Sequence, residues 1–227
     1  MPPPDSADPP PVARAAATVV VLDERGDGAA ALMVRRNPAL RFYGGYWVFP
    51  GGAIDAADGH DADPAAAARA GCRELREEAR LDVASSDLVY WARWITPSGY
   101  PRRFDTRFFI TRLPTGQAAR VTNGEVTALA WLPLASWPTL SEGGTFPVPF
   151  ATQFVLRELA EALRRYESID GLLAAAASRC VLTIQPKMLG DEVTVLPWDP
   201  DYELLAGDGI AWSPGQVATR RHWPSRG

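Results

Sequence analysis

The segment Arg73-Glu74-Leu75-Arg76-Glu77-Glu78-Ala79-Arg80-Leu81 closes a run of helix formers that extends from Ala65 to Leu81. Asp63-Pro64 opens the run: aspartate caps free amide groups, and proline suits the first helical position, where an amide has no partner. At about 100° per residue, Ala68, Cys72, Leu75 and Ala79 fall within a stripe about 60° wide that reads as the core face. Cys72 is then a small buried hydrophobe rather than a nucleophile. With Glu74 as origin, Glu78 lies about 40° to one side and Glu77 about 60° to the other, so three carboxylates share a face roughly opposite the apolar stripe. Two readings follow. The face is solvated and steadied by the Arg73–Glu77 pair at i, i+4, or it holds a hard divalent cation, which relieves the repulsion among like charges.

Upstream, Ala15–Leu22 and Ala29–Arg36 are apolar runs separated by the turn-forming Asp23-Glu24-Arg25-Gly26-Asp27-Gly28, and they read as a strand hairpin. Tyr46–Phe49 is a short strand stopped by Pro50-Gly51-Gly52. Downstream, Leu88–Ile95, Phe104–Leu113 and Val126–Leu132 read as strands, and Pro133–Pro149 as a short helix and loop. Thr152–Tyr166 is an amphipathic helix, Ile169–Ser178 a shorter one, and Val181–Gln185 and Val193–Leu196 late strands. Strands, helix, strands, then helices predict an α/β (α+β) fold: a mixed sheet with helices packed on it.

The composition narrows the chemistry. The chain has 227 residues, two His and two Cys, and a formal net charge of -4. His60, His222, Cys72 and Cys180 lack the paired spacing of a structural zinc site, so a metal here is held by oxygen. Between Gly51 and Asp82 there are eight acids against four arginines, which accounts for the whole acidic excess. The acidic net charge and the absence of a Lys-rich run speak against sequence-independent binding of nucleic acid. No apolar stretch reaches the roughly 20 residues of a membrane helix. The opening MPPPDSADPPP lacks the features of a secretory signal and reads as a flexible proline-rich tail over 1–13. With two unpaired cysteines, the expected location is the cytoplasm. The expected organisation is one domain over 14–200, with a stretched motif at 51–81, a helical extension at 152–178 and an irregular tail at 201–227.

The sequence resembles the Nudix hydrolases, whose signature is Gly, five residues, Glu, seven residues, then Arg-Glu-U-X-Glu-Glu-X-Gly-U, with U aliphatic. Gly52, five residues and Asp58 match the first half with Asp for Glu; Arg73 to Leu81 match the second, with Arg80 in place of Gly. Fourteen residues separate the halves instead of seven, which leaves a role for Asp58 open. Trp47-Val48-Phe49-Pro50-Gly51-Gly52 is like the strand and turn by which that family enters its motif. The resemblance runs from about Val19 to about Asp201. It implies a Nudix fold, a mixed sheet sandwiched between helices, and hydrolysis of a nucleoside diphosphate derivative with Mg2+ or Mn2+. It further implies Glu74, Glu78, Glu77 and the Gly51 carbonyl as metal ligands. Glu77, Glu74 and Arg73 become the catalytic set, Arg73 locking a carboxylate rotamer; which glutamate is the general base stays open.

A second resemblance concerns the substrate. Coenzyme A diphosphatases of that family carry Leu-Leu-Thr-X-Arg-[Ser/Ala], three residues, Arg, three, Gly, three, Phe-Pro-Gly-Gly. Here Leu32-Met33-Val34-Arg35-Arg36-Asn37 is followed at the same spacings by Arg41, Gly45 and Phe49-Pro50-Gly51-Gly52; Met33, Val34 and Asn37 depart. The implied substrate is coenzyme A or an acyl-CoA, split to phosphopantetheine and adenosine 3′,5′-bisphosphate. ADP-ribose or a nucleoside diphosphate sugar is the alternative, and a non-catalytic nucleotide sensor the alternative of another class. Arg36, Arg41, Arg102 and Arg103 are candidate phosphate forks or surface charges. Trp47, Tyr46 and Phe104 are candidate base-stacking rings or sheet core. Glu125, before a strand, is a candidate extra carboxylate near the metal. His60, Asp61 and Asp63 read as a polar loop ending in a helix cap. A homodimer stays open.

Overall fold

A computed structural model describes residues 11–26, 28–60, 63–122, 124–189, 193–205, 209, 210 and 216. Most of the proline-rich tail and of the 201–227 tail lies outside the described residues, as does Asp61. Backbone contacts divide the chain into two compact units, one drawn from Ala16–Trp91 and Arg107–Val181, the other from Met1–Ala15, Ala92–Thr106 and Leu182–Gly227. The sequence reading placed 14–200 in a single domain.

The first unit is built on a hairpin of β1 (Arg14–Arg25) and β2 (Gly28–Arg36), paired from Leu22↔Ala31 to Arg25↔Gly28. Val19, Val20, Val21 and Leu22 in β1 and Ala31 to Val34 in β2 are fully buried. Continuous burial, rather than alternation, marks strands covered on both faces. On the far side of β2 lie β3 (Trp47–Val48), with Val34↔Val48, and β7 (Val126–Pro133), with Ala30↔Pro133 through Arg36↔Val126 and a bulge at Arg35/Arg36. With β5 spanning Val89–Ile95 and β6 Phe104–Arg112, the hydrogen-bonded order runs β3-β2-β1-β6-β5; the stretches up to Trp91 and from Arg107 belong to this unit, and Ala92–Thr106 to the second.

The sequence reading ended the strand signal at Pro50-Gly51-Gly52, and the structure differs there. Gly51–Ala53 is a strand, β4, antiparallel to β1 with Ala17↔Gly52 and Thr18↔Gly51. The glycines that look like a turn permit this pairing: a Cβ on Gly51 would stand 2.5 Å from the Ala17 carbonyl oxygen.

Helix α1 (Pro64–Ala79) starts as expected, with Asp63 Oδ1 accepting from the Ala65 amide at 2.9 Å. Ala68, Cys72, Leu75 and Ala79 are buried, and so are Ala66, Ala67, Ala70 and Gly71. The small residues bring the helix close to the sheet: a Cβ on Gly71 would sit 2.7 Å from Val19 Cγ2. The helix ends on Arg80 at φ +56°, with the Arg80 amide donating to Arg76 O and the Leu81 amide to Leu75 O. This double bond pattern calls for a left-handed residue, the position where the family signature has glycine.

Helices α2 (Trp137–Glu142), α3 (Phe150–Tyr166) and α4 (Ile169–Ala177) complete this unit. Val155, Leu156 and Leu159 of α3 and Ile169 and Leu172 of α4 are fully buried.

In the second unit, β8 (Thr183–Ile184) runs parallel to β5 at Arg93↔Thr183, which makes the sheet mixed, and β9 (Lys187–Leu189) pairs with β10 (Val193–Val195). Lys187 spends its ammonium within this unit, donating to Leu205 O at 2.9 Å and lying over the Tyr202 ring. Among the described residues no helix is long and apolar enough to cross a membrane.

Candidate active site

Arg73, on the carboxylate face of α1, organises the site. Its Nη2 donates to Asp58 Oδ2 at 2.9 Å and to Ala53 O at 3.0 Å, and its Nε points at both Asp58 oxygens at 3.2 and 3.3 Å. Its Nη1 donates to Glu74 Oε1 at 2.8 Å and to Glu77 Oε2 at 3.2 Å. One guanidinium thus joins the turn after β4 to two of the three helix carboxylates. The fork geometry suits this, since its five donors lie in a fixed plane.

Asp58 is 5% exposed, and the Arg73 hydrogen bonds hold its carboxyl below the usual carboxylate range. The Asp55 amide also donates to Asp58 Oδ2 at 3.0 Å. The sequence left Asp58 open because of the stretched spacing; the structure gives it the role of anchor for Arg73.

The three carboxylates are not equally placed: Glu78 is 3% exposed while the Glu77 side chain is 52% exposed, so the wholly solvated face, one of the two readings open from the sequence, does not describe Glu78. Strand β4 explains the difference. With glycine at 51 and 52, its backbone leaves room for carboxylates: the Gly51 amide donates to Glu78 Oε2 at 3.0 Å, and a Cβ on Gly52 would overlap the Glu74 carboxylate. Burial pushes the Glu78 carboxyl up to about 8, against the Gly51 hydrogen bond, with Glu74 and Glu125 adding repulsion and Arg36 opposing it. Burial likewise raises Glu74 in spite of Arg73.

Such a set suits a hard cation chemically: oxygen donors, like charges in electrostatic contact, and a carboxylate that is costly to ionise without a counter-charge. No ready-made cage is present, however. Among the described residues no group of three or more His, Cys, Asp or Glu side chains is arranged to hold a metal ion. Glu74 and Glu77 accept from Arg73, and Glu78 accepts from the Gly51 amide.

The NUDIX domain family model matches residues 12–149. The chain belongs to the NUDIX domain family. A curated relative, "Putative nudix hydrolase 7" of Caenorhabditis elegans, is 22% identical over 165 residues, which cover 57% of this chain and 55% of the relative. The chain therefore spans about half the length of that relative. Among solved structures, a NUDIX hydrolase from Alicyclobacillus acidocaldarius is 26% identical, with 66% of this chain and 92% of that one covered and a TM-score of 0.59. The NUDIX domain of Shewanella oneidensis NrtR, complexed with ADP ribose, is 18% identical over 67% of this chain and 90% of its own, with a TM-score of 0.52, a likeness of fold alone.

The remaining candidates fall on both units of this Nudix chain. Arg36 ends β2, its Nε donating to Phe42 O at 3.2 Å, and it lies within electrostatic reach of Glu78. Arg41 is exposed on the following loop. Glu125 is placed across from that loop, the Asn37 amide donating to its carbonyl at 2.7 Å and Asn37 Nδ2 to Gly124 O at 2.8 Å. Trp47 is half-buried and stacks on Phe146, 4.3 Å between centroids and 8° between planes. Phe146 gave no sequence signal, because the stacking depends on the docking of residues near 147 onto β3, where the Trp47 amide donates to Pro147 O. Tyr46 is 37% exposed beside Tyr43.

Arg102, Arg103 and Phe104 belong to the second unit. Arg102 is exposed and Phe104 half-buried. Arg103 is buried, its Nε donating to Thr96 O at 3.1 Å and its Nη1 to Pro11 O at 2.9 Å. These bonds give the guanidinium a structural tie to two backbone carbonyls, which satisfies part of a buried donor set.

Proposed function

We propose that this Nudix protein hydrolyses the diphosphate bond of a nucleoside diphosphate derivative, with coenzyme A or an acyl-CoA as substrate. The observation that carries the reading is the grip of Arg73 on Asp58, Glu74 and Glu77 beside the glycine backbone of β4. The hydrolase named among the curated relatives and the one among the solved structures support the reaction class.

Members of the family generally act with divalent metal ions, and here Glu74, Glu78 and the Gly51 carbonyl are the proposed ligands, with Glu77 as a third carboxylate. When bound, Mg2+ or Mn2+ neutralises the diphosphate and orients the reacting oxygens. The protein's own part is positional. Arg73 keeps Glu74 and Glu77 in fixed rotamers, and one of these two accepts the proton of the attacking water. The water oxygen bonds to a diphosphate phosphorus, the bridging P–O bond breaks, and two monophosphates leave. For coenzyme A these are phosphopantetheine and adenosine 3′,5′-bisphosphate.

Support for coenzyme A comes from the spacing of Arg36, Arg41 and Gly45 before Phe49-Pro50-Gly51-Gly52. Arg36 and Arg41 then bind phosphate oxygens, and Tyr46 and Trp47 are the rings on the same loop and strand available to a base. The test is incubation with Mg2+ and a panel of coenzyme A, acyl-CoAs, ADP-ribose and dinucleotides, followed by chromatography of the products. Cleavage of coenzyme A to the two named products is expected. Preferred cleavage of ADP-ribose overturns the substrate, and tight binding without turnover overturns catalysis in favour of a sensor.

A further inference from the structure

The stretched motif poses a geometric problem. Fourteen residues run between Asp58 and Arg73, yet the two side chains must meet. Pro64 to Cys72 of this stretch already belong to α1, so what has to be defined is where the chain leaves Asp58 and where it enters the helix at Asp63.

Arg69 lies one helical turn before Arg73 on α1 and touches both ends of the detour. Its Nε donates to the Asp58 carbonyl at 2.6 Å, and its Nη2 donates to Asp63 Oδ2 at 3.0 Å. Asp63 is at the same time the cap of α1. Between them, Gly59 takes φ +121°, and a Cβ there would stand 2.7 Å from Arg69 Nη2, so the chain turns away directly over this guanidinium. The Asp58 amide donates to Asp55 O at 2.9 Å. Asp58 is thereby held at its carbonyl by Arg69, at its amide by Asp55 and at its carboxylate by Arg73.

We propose that Arg69 is a positioning residue that staples both ends of the insertion to α1, presents Asp58 to Arg73, and through Arg73 sets Glu74 and Glu77. The inference rests on the reading of Glu74 and Glu78 as a cation site for its functional consequence, and on hydrogen bonds alone for the relay itself. A surface ion pair without such a role contributes little to stability or activity.

The test uses the full chain as wild type, Arg69→Met, Arg69→Lys, Asp58→Asn and the double variant Arg69→Met/Asp58→Asn. Solvent exchange of the Arg73 Nε–H, followed by nitrogen-15 NMR without metal, reads the relay directly; Mn2+ affinity by electron paramagnetic resonance reads its consequence. In Arg69→Met, exchange quickens and Mn2+ affinity falls about 10-fold, the lower range for residues that orient metal ligands, while the melting temperature stays near wild type. Arg69→Lys, with one nitrogen where two are needed, falls between. The double variant is no weaker than Asp58→Asn alone, because both act along one line. Unchanged Arg73 exchange in Arg69→Met, or effects that multiply in the double variant, overturns the proposal. A wild type that binds no Mn2+ overturns the reading of the site instead, and the exchange data still decide the relay.

Discussion

Replacing Asp58 by asparagine removes one charge from the site and keeps its shape. In the structure Asp58 accepts from Arg73 Nη2 at 2.9 Å, from Arg73 Nε at 3.2 Å and from the Asp55 amide at 3.0 Å, and it is buried. Hydrogen bonds to charged groups contribute about 1.5–3 kcal/mol, and breaking a fully buried ion pair costs about 3–5 kcal/mol. Arg73 keeps Glu74, Glu77 and the Ala53 carbonyl as partners and is partly exposed, so the loss sits at the lower end. We expect Asp58→Asn to cost about 2 kcal/mol at pH 7. The pH dependence carries a sign. The Arg73 hydrogen bonds lower the folded-state value of Asp58 below its ordinary 3.8. Its stabilisation is therefore complete above about 3.8 and is lost as pH falls through the lower, folded value. Asparagine does not titrate, so the difference between the two proteins stays constant from pH 7 to about 4 and narrows below that. Urea titrations over this range, to the lowest pH at which both remain folded, give the difference by linear extrapolation. A difference under about 0.5 kcal/mol at pH 7, the ordinary effect of a surface substitution, or one that does not narrow in acid, refutes the anchoring role.

Glu78→Gln removes a proposed charged ligand and should lower kcat by at least about 10²-fold against whichever panel substrate is cleaved; full retained turnover sinks the ligand assignment. Gly52→Ala places a methyl group against the Glu74 carboxylate, whose Cδ stands 2.6 Å from the new Cβ. Its Mn2+ affinity should fall about 10-fold with the circular dichroism unchanged, and wild-type affinity would show that Glu74 is not held there. Arg80→Gly relieves a left-handed residue at φ +56° whose cost is about 1–2 kcal/mol, offset in part by the greater chain entropy of glycine. A gain of about 0.5–1 kcal/mol in denaturant unfolding is expected, and a loss would show that Arg80 is not strained at the helix end.

The elements legible in the sequence are those whose causes are local. Asp63-Pro64 carries the start of α1 within two residues, and the apolar runs of β1 and β2 on either side of a turn-forming cluster declare a strand hairpin. The three glutamates and Arg73 were readable for the same reason, since helical spacing alone puts them together. Strand β4 was not, because Gly51-Gly52 has the composition of a turn and becomes a strand only through pairing with Ala17 and Thr18 of β1. The burial of Glu78 follows from that missed strand: a helical wheel gives the direction of a side chain and not what is packed against it. Arg103 makes the same point: nothing in its sequence neighbourhood announces that it is buried with its Nε and Nη1 on the Thr96 and Pro11 carbonyls. Asp58 is the most instructive of these. A signature written as residue counts treats the two halves of the motif as tied by the segment between them, so a doubled separation looks like a broken motif. In the structure the tie is the contact of Asp58 with Arg73, reinforced from Arg69. The intervening chain then has only to leave and return at fixed points, which many lengths can satisfy. Spacing in sequence is thus a proxy that holds where the chain is helical, from Arg73 to Glu78, and fails where side chains join separate stretches, as Arg69 and Arg73 join Asp58 to α1.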